Sequence, residues 1–244
     1  MPTIAINGFV RIGRQAFKVA LTHPHLTVVG INDLTDTKTL AHLLRYDTSY
    51  GVYDQDVSYD DKHLIIAGKK YPVFAEKDPS KLPWKDLGVD VVLECTGRFT
   101  SEDGAKPHLV AGAKKVIISA PAKGGNVPTY VLGVNADGVA KESAPIINNA
   151  SCTTNCISPV MSVLEKNFGI EKAMMTTVHG YTADQNLQDA PHKDLRRARA
   201  AAENIVPTTT GAAIATTEAI PALKDKFDGL SIRVPVPNVS VSDI

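Results

Sequence analysis

The sequence predicts an α/β fold, a doubly wound parallel sheet followed by a smaller α+β part. Three observations carry this. Short, nearly continuous apolar runs rich in β-branched residues recur through the first 150 residues, amphipathic segments separate them, and near Asn149 the chemistry changes to clustered hydroxyl, amide and thiol side chains. Continuous apolar strands are the habit of sheets covered on both faces, and a repeated strand–helix–strand order implies parallel pairing.

The first strand is read at "TIAIN" (3–7) and the first helix at "RQAFKVALTH" (14–23), where apolar residues fall three and four apart. "TVVGIN" (27–32) is the second strand and "KTLAHLLRY" (38–46) the second helix. Between about 50 and 83 the chain breaks into short alternating runs divided by turns, which reads as an antiparallel insertion. "VDVVLECT" (89–96) and "KKVIIS" (114–119) resume the buried-strand pattern on either side of "SEDGAKPHLVAGA" (101–113), a segment with a capping start. "KAMMTTVHGYT" (172–182) alternates like a strand, as does the closing "NVSVSDI". With no repeat or low-complexity linker in view, the change near Asn149 sets the boundary: a first domain over 1–149 and a second over 150–244.

Twenty-six Lys and Arg offset twenty-six Asp and Glu, so no net field attracts nucleic acid or an anionic membrane. The opening "MPTIAINGF" has neither the basic start nor the apolar core of a signal peptide, and no apolar stretch approaches membrane-spanning length. The expectation is a soluble cytoplasmic protein. Three cysteines do not make a disulfide scaffold.

The first strand runs straight into "NGFVRIGRQAF". Gly8 and Gly13 hold the outer positions of a G-x-G-x-x-G dinucleotide fingerprint, and Asp33 follows Gly13 by twenty residues at the end of the next strand. Gly8 would make the tight turn, Gly13 would let the helix pack close, and the helix N-terminus would meet a pyrophosphate. Asp33 would accept from the adenosine ribose and repel a 2′-phosphate, which favours NAD over NADP. Val10 stands where the fingerprint asks for its middle glycine, and weaker NAD binding than in a Val10→Gly chain is expected from it.

Two of the three cysteines lie four apart in "NASCTTNCISPVMSVL" (149–164), which leaves a metal site, a redox pair, or one nucleophile and a bystander. Zinc would need further thiolates or histidines at ligand spacing, and Cys95 sits inside a buried-strand pattern. The hydroxyls and Asn155 suit a helix start, so Cys152 falls at the positive end of a helix, where a thiolate is stabilised. Cys156, one turn further in, is expected to be buried. His179, at the polar end of the 172–182 strand beside Thr182, is the candidate proton acceptor. The other six histidines (23, 25, 42, 63, 108, 192) read as surface or helix-face residues.

"INGFVRIGR", "NDLTD", "AHLLRYD", "ECTGRF", "KKVIISAPAK", "NASCTTNC", "MMTTVHGYT", "HKDLRRARAAAENIVPTTTGAA" and "RVPVPNVSV" together resemble the phosphorylating glyceraldehyde-3-phosphate dehydrogenases, from residue 3 to the last. The resemblance implies a Rossmann-type NAD domain, a catalytic domain beginning near residue 150, and a homotetramer. It implies Cys152 as nucleophile and His179 as base, with glyceraldehyde 3-phosphate and inorganic phosphate as substrates. Asn7, Gly8, Phe9, Arg11, Ile12, Gly13, Asp33, Lys77 and Ser119 would contact NAD. Thr182 and Arg233 would hold the substrate phosphate, while Ser151, Thr153, Thr210, Gly211 and Arg197 would form the site of the attacking phosphate. Arg196 and Arg199 are alternative donors beside Arg197.

Cys152 would add to the aldehyde to give a hemithioacetal, His179 would take its hydroxyl proton as hydride leaves, and phosphate would attack the resulting thioester. An erythrose-4-phosphate dehydrogenase would share nucleophile and base, though "HKDLRRARAAAE" and two anion sites favour the phosphorylating enzyme. From another class, a dinucleotide-binding or assembly protein impaired in catalysis is favoured by Val10 and opposed by an intact Cys152 and His179. Members of the family continue past "NVSVSDI" through more of the catalytic sheet, so the chain is expected to be truncated.

Overall fold

The structure is a computed structural model that describes residues 1–138 and 144–244. Two compact units emerge, Met1–Pro128 with Ser143–Asn149, and Thr129–Glu142 with Ala150–Ile244. The sequence boundary at Asn149 puts all of 1–149 in the first domain. The excursion beginning at Thr129 instead packs with the second unit: Thr129 Oγ1 donates to Glu218 Oε2 at 2.6 Å, and Val131 shares a small core with Ala150 and Ala219.

The first unit contains β1 (Thr3–Asn7), α1 (Arg11–Thr22), β2 (Thr27–Asn32), α2 (Thr37–Arg45), β3 (Tyr46–Asp47), β4 (Gly51–Val52), β5 (Val57–Asp60), β6 (His63–Ile66), β7 (Lys69–Phe74), β8 (Val91–Glu94), α3 (Glu102–Val110), β9 (Lys115–Ile118) and β10 (Ile146–Asn148). Its main sheet runs β10-β9-β8-β1-β2-β7-β6-β5. Alternation along β1 explains the covering of both faces. Ile4 and Ile6 join a core with Phe17, Leu40 and Leu44, whereas Ala5 joins one with Trp84, Val92 and Ala105.

The chain moves from β1 outward to β2, then returns to place β8 on the other side of β1, both pairings being parallel. That reversal opens a crevice at the carboxyl ends of β1, β2 and β8, where α/β sheets hold their ligands. The insertion read between 50 and 83 is antiparallel through β5, β6 and β7. It is not a separate layer, however, because β7 pairs parallel to β2 through Ile31–Val73 and Asn32–Phe74 and so widens the main sheet.

The second unit contains α4 (Cys152–Phe168), β11 (Ala173–Gly180), β12 (Val206–Thr209), α5 (Ala212–Ala219), β13 (Phe227–Val234) and β14 (Ser240–Asp243). Its sheet runs β12-β13-β11-β14, with β11 and β13 parallel and the outer strands antiparallel. Ile157 and Met161 of α4 pack on Met175, Leu223 and Phe227. Register sets His179 of β11 between Arg233 of β13 and Ser240 of β14. Among the described residues, no helix is long and apolar enough to cross a membrane.

Candidate active site

In the second unit, Ala150 takes a left-handed φ of 61° and Ser151 then caps α4, its Oγ accepting from Thr154 N at 3.1 Å. Cys152 is therefore the first helical residue, among the unpaired amides of a helix N-terminus. Its Sγ lies 3.4 Å from His179 Nε2. The bond to His179 is the largest influence on the thiol, outweighing burial and bringing its pKa from 9.0 to about 7. Reciprocally, the bond to Cys152 raises His179, against burial and the nearby charge of Arg233.

The imidazole is oriented from behind. His179 Nδ1 lies 2.7 Å from Gly180 O, and Arg233 Nη1 donates to the same carbonyl at 3.0 Å while standing 2.8 Å from Nδ1. Arg233 can only donate, so Nδ1–H toward Gly180 O and a lone pair toward Arg233 are alternative tautomers. The first leaves Nε2 as an acceptor facing Sγ. Thr153, Tyr181 and Thr182 line the same pocket, together with Asn238, Ser240 and Ser242 from the β13–β14 turn and β14.

Arg197 is tied down by Asp184 Oδ2 at 2.6 Å, Thr208 Oγ1 at 2.8 Å and Thr209 O at 2.9 Å. Its charge helps to lower the pKa of Arg233, second to burial, which places the two guanidinium groups in one field. Arg196 and Arg199 instead pair at the surface with Asp194 and Asp189. Thr210 Oγ1 accepts from Ala212 N at 3.1 Å, and Gly211 caps α5.

In the first unit, the crevice is lined by Asn7, Gly8, Val10, Asn32, Asp33, Lys77, Thr96 and Phe99 among others. Gly8 has a φ of 91°, and a Cβ on it would stand 2.6 Å from Thr96 N. Asp33 accepts from Phe9 N at 2.7 Å and Thr35 N at 3.0 Å, which ties the glycine loop to the end of β2. The N-terminus of α1 has no side-chain cap and no acid in its first turn. Arg14, 8% exposed, donates from Nη1 to Phe9 O at 3.1 Å and so braces the loop from below. These features fit the pyrophosphate and adenosine ribose of NAD.

The structure corrects the expected burial of Cys156 and exposure of His108, and places several other side chains away from the crevice lining. The Phe9 ring is fully buried against Phe17, so only its backbone serves the loop. Arg11 turns to Asp47 at 2.5 Å rather than to the crevice. Ile12 is exposed, and Ser119 donates its N–H to Glu94 O at 3.0 Å; neither lines the crevice. Cys156 is exposed and lines the Cys152 pocket, and His108 is fully buried. Sequence reasoning missed Asn32, Thr96 and Phe99; "ECTGRF", following a buried strand, was the available signal for the last two.

Val10 is extended, at φ −83° and ψ −161°, a conformation open to any residue. Its effect is therefore spatial, since the side chain is 45% exposed and lines the crevice at the α1 N-cap. Val10→Gly is expected to lower the Kd for NAD about fivefold, some 1 kcal/mol. Equal affinities in a calorimetric titration would show that valine does not obstruct the cofactor.

A crevice that fits a dinucleotide places the chain among the nicotinamide-dependent oxidoreductases. Two family profiles match it: "Glyceraldehyde 3-phosphate dehydrogenase, NAD binding domain" over residues 2–102, and the corresponding "C-terminal domain" over residues 151–244. Glyceraldehyde-3-phosphate dehydrogenase of Geobacillus stearothermophilus is 56% identical over 241 residues, covering 99% of this chain and 72% of the relative. A protein named glyceraldehyde-3-phosphate dehydrogenase 1 from Bacillus subtilis is 54% identical over 241 residues, with the same coverage. Its namesake from Bacillus cereus is 52% identical over 244 residues, covering 100% and 73%. The chain belongs to the glyceraldehyde-3-phosphate dehydrogenase family.

Proposed function

We propose that this chain catalyses the NAD-dependent oxidative phosphorylation of glyceraldehyde 3-phosphate to 1,3-bisphosphoglycerate, the glycolytic reaction, as a cytoplasmic homotetramer. The observation that carries this reading is the Cys152–His179 pair at 3.4 Å, at the start of α4 and beside Arg233, with the thiol drawn to about 7.

Cys152 adds as thiolate to the aldehyde carbon, and its helix N-terminus offers N–H groups to the oxygen that gains charge. His179 Nε2 takes the hydroxyl proton of the hemithioacetal as hydride leaves. NAD, when bound through Gly8, Asp33, Lys77 and the start of α1, supplies the hydride acceptor. Inorganic phosphate attacks the thioester, releasing acyl phosphate and restoring the Cys152 thiolate. Arg233 with Thr182 holds the substrate phosphate, while Arg197, Ser151, Thr153, Thr210 and Gly211 serve the attacking one, bidentate guanidinium contacts being suited to both.

NADH formation by the 244-residue chain, given glyceraldehyde 3-phosphate and NAD with and without phosphate, tests this. Turnover that depends on phosphate is expected, faster than with erythrose 4-phosphate. Phosphate-independent turnover or a preference for the four-carbon sugar would move the assignment to the erythrose-4-phosphate enzyme. A reactive Cys152 with no hydride transfer would leave a catalytically impaired binding protein.

A further inference from the structure

Beneath the crevice of the first unit runs a buried series of hydrogen bonds that the reaction above does not use. Trp84 and His108 are fully buried, and Asn7 and Glu94 are each 1% exposed. Trp84 Nε1 donates to His108 Nδ1 at 3.0 Å. An indole N–H only donates, so Nδ1 is an acceptor and His108 carries its proton on Nε2, which donates to Glu94 Oε2 at 3.0 Å. The same oxygen accepts from Asn7 Nδ2 at 2.5 Å. Glu94 Oε1 accepts from the Thr96 amide at 2.8 Å and from the Thr96 hydroxyl. Both carboxylate oxygens thus face donors alone.

The series emerges on both rims of the crevice. On one side Asn7 Oδ1 accepts from Asn32 Nδ2 at 2.7 Å, and the Asn32 amide spans Glu76 N and Glu76 O at 2.9 Å each. On the other, Thr96 Oγ1 accepts from Arg98 N at 3.0 Å. Asn7, Asn32, Glu76, Thr96 and Arg98 line the crevice, whereas Trp84 and His108 do not.

We propose that Trp84–His108–Glu94 is a positioning device for the dinucleotide, with His108 acting through Glu94 on Asn7 and Thr96. This rests on the reading of the crevice as the NAD site. A side-chain amide can turn over by 180°, and only one orientation of Asn7 gives Nδ2 to Glu94 and Oδ1 to Asn32. Glu94 selects that orientation because it accepts and does not donate. The same carboxylate pins the turn after β8, where Thr96 lies 2.6 Å from the position a Gly8 Cβ would take. Glu94→Gln keeps the volume but sets an N–H₂ against existing donors, a mismatch that a buried site tolerates poorly.

Calorimetric titration with NAD on the full chain and on Glu94→Gln, His108→Leu and His108→Gln tests the device, alongside Cys152 alkylation by iodoacetamide without NAD. Glu94→Gln and His108→Leu should raise the Kd about tenfold or more, equivalent to about 1.4 kcal/mol. His108→Gln, which keeps an N–H toward Glu94, should stay within about threefold of the parent. Alkylation should be unchanged in all three, which separates a local effect from general loosening. A parent chain that binds no NAD removes the cofactor reading itself. Parent binding with unaltered affinity in Glu94→Gln and His108→Leu overturns the device alone, and equal losses in His108→Gln and His108→Leu overturn the donor assignment. Should the variants not fold, the parent suffices, because Trp84 is the one tryptophan in the chain and gives a single indole N–H resonance. Saturating NAD should move that resonance and slow its exchange with solvent; an unmoved resonance overturns the proposal.

Discussion

Replacing His179 with asparagine is expected to slow alkylation of Cys152 at pH 7 by roughly 15- to 50-fold and aldehyde oxidation by about 10²- to 10⁴-fold. The first figure follows from the thiol. With His179 at 3.4 Å its pKa is about 7, so near pH 7 about half the cysteine is thiolate; without that bond the value returns toward 9.0 and only a few per cent remains. The sign is fixed by the direction of the shift. Reactivity of the parent rises as pH climbs through about 7, and that of the variant rises only near the ordinary thiol range. Because the imidazole is itself raised by the thiolate, the pair titrates as one system and the midpoint belongs to both groups. The second, larger loss reflects the missing proton acceptor for the hemithioacetal. Iodoacetamide rates across pH, measured beside NADH formation, check both parts. A midpoint that stays near 7 in the variant would assign the thiolate to the α4 N-terminus alone and reduce His179 to a base.

The sequence alone makes legible whatever the local chain decides. β1 and β2 are found at 3–7 and 27–32 as their apolar runs require, and Gly8 and Gly13 were legible because backbone geometry at those positions excludes other residues. Ser151 was legible as a helix start for the same local reason. Residues governed by distant partners were not. His108 lies in a helical pattern that reads as surface, and nothing near it in sequence announces Glu94, fourteen residues back, or Trp84, twenty-four back. Arg11 is implied as an NAD contact by resemblance alone, and nothing near it in sequence announces that its side chain turns to Asp47, thirty-six residues on. Cys156 follows the helical period toward a buried face, yet α4 buries Thr153, Thr154, Ile157 and Met161 and leaves Cys156 in the pocket. The contribution of Asn238, Ser240 and Ser242 depends on β14 returning antiparallel to β11, a pairing that alternation alone does not specify.

Gly13→Ala is expected to destabilise the first unit by roughly 3 kcal/mol or more, and to abolish NAD binding under conditions where the parent binds. A Cβ at this position would lie 2.1 Å from Gly8 O and 3.1 Å from Ile6 Cγ2. Neither neighbour can yield cheaply. Gly8 O belongs to a loop fixed by Gly8 N to Asn32 O at 2.8 Å and by Asp33 to Phe9 N at 2.7 Å, and Ile6 is fully buried in β1. To make room, α1 must move off β1, which carries its N-terminus away from the crevice and opens the Phe9–Phe17 contact, now 5.3 Å between ring centres. The glycine is thus required for close approach of helix and strand, while its own φ is unremarkable in sign. In a melt followed by circular dichroism, roughly 3 kcal/mol corresponds to a Tm about 6–12 °C lower for a chain of this size. A fall of less than about 2 °C would mean that α1 shifts at little cost, and the close packing inferred for the dinucleotide loop would then be wrong.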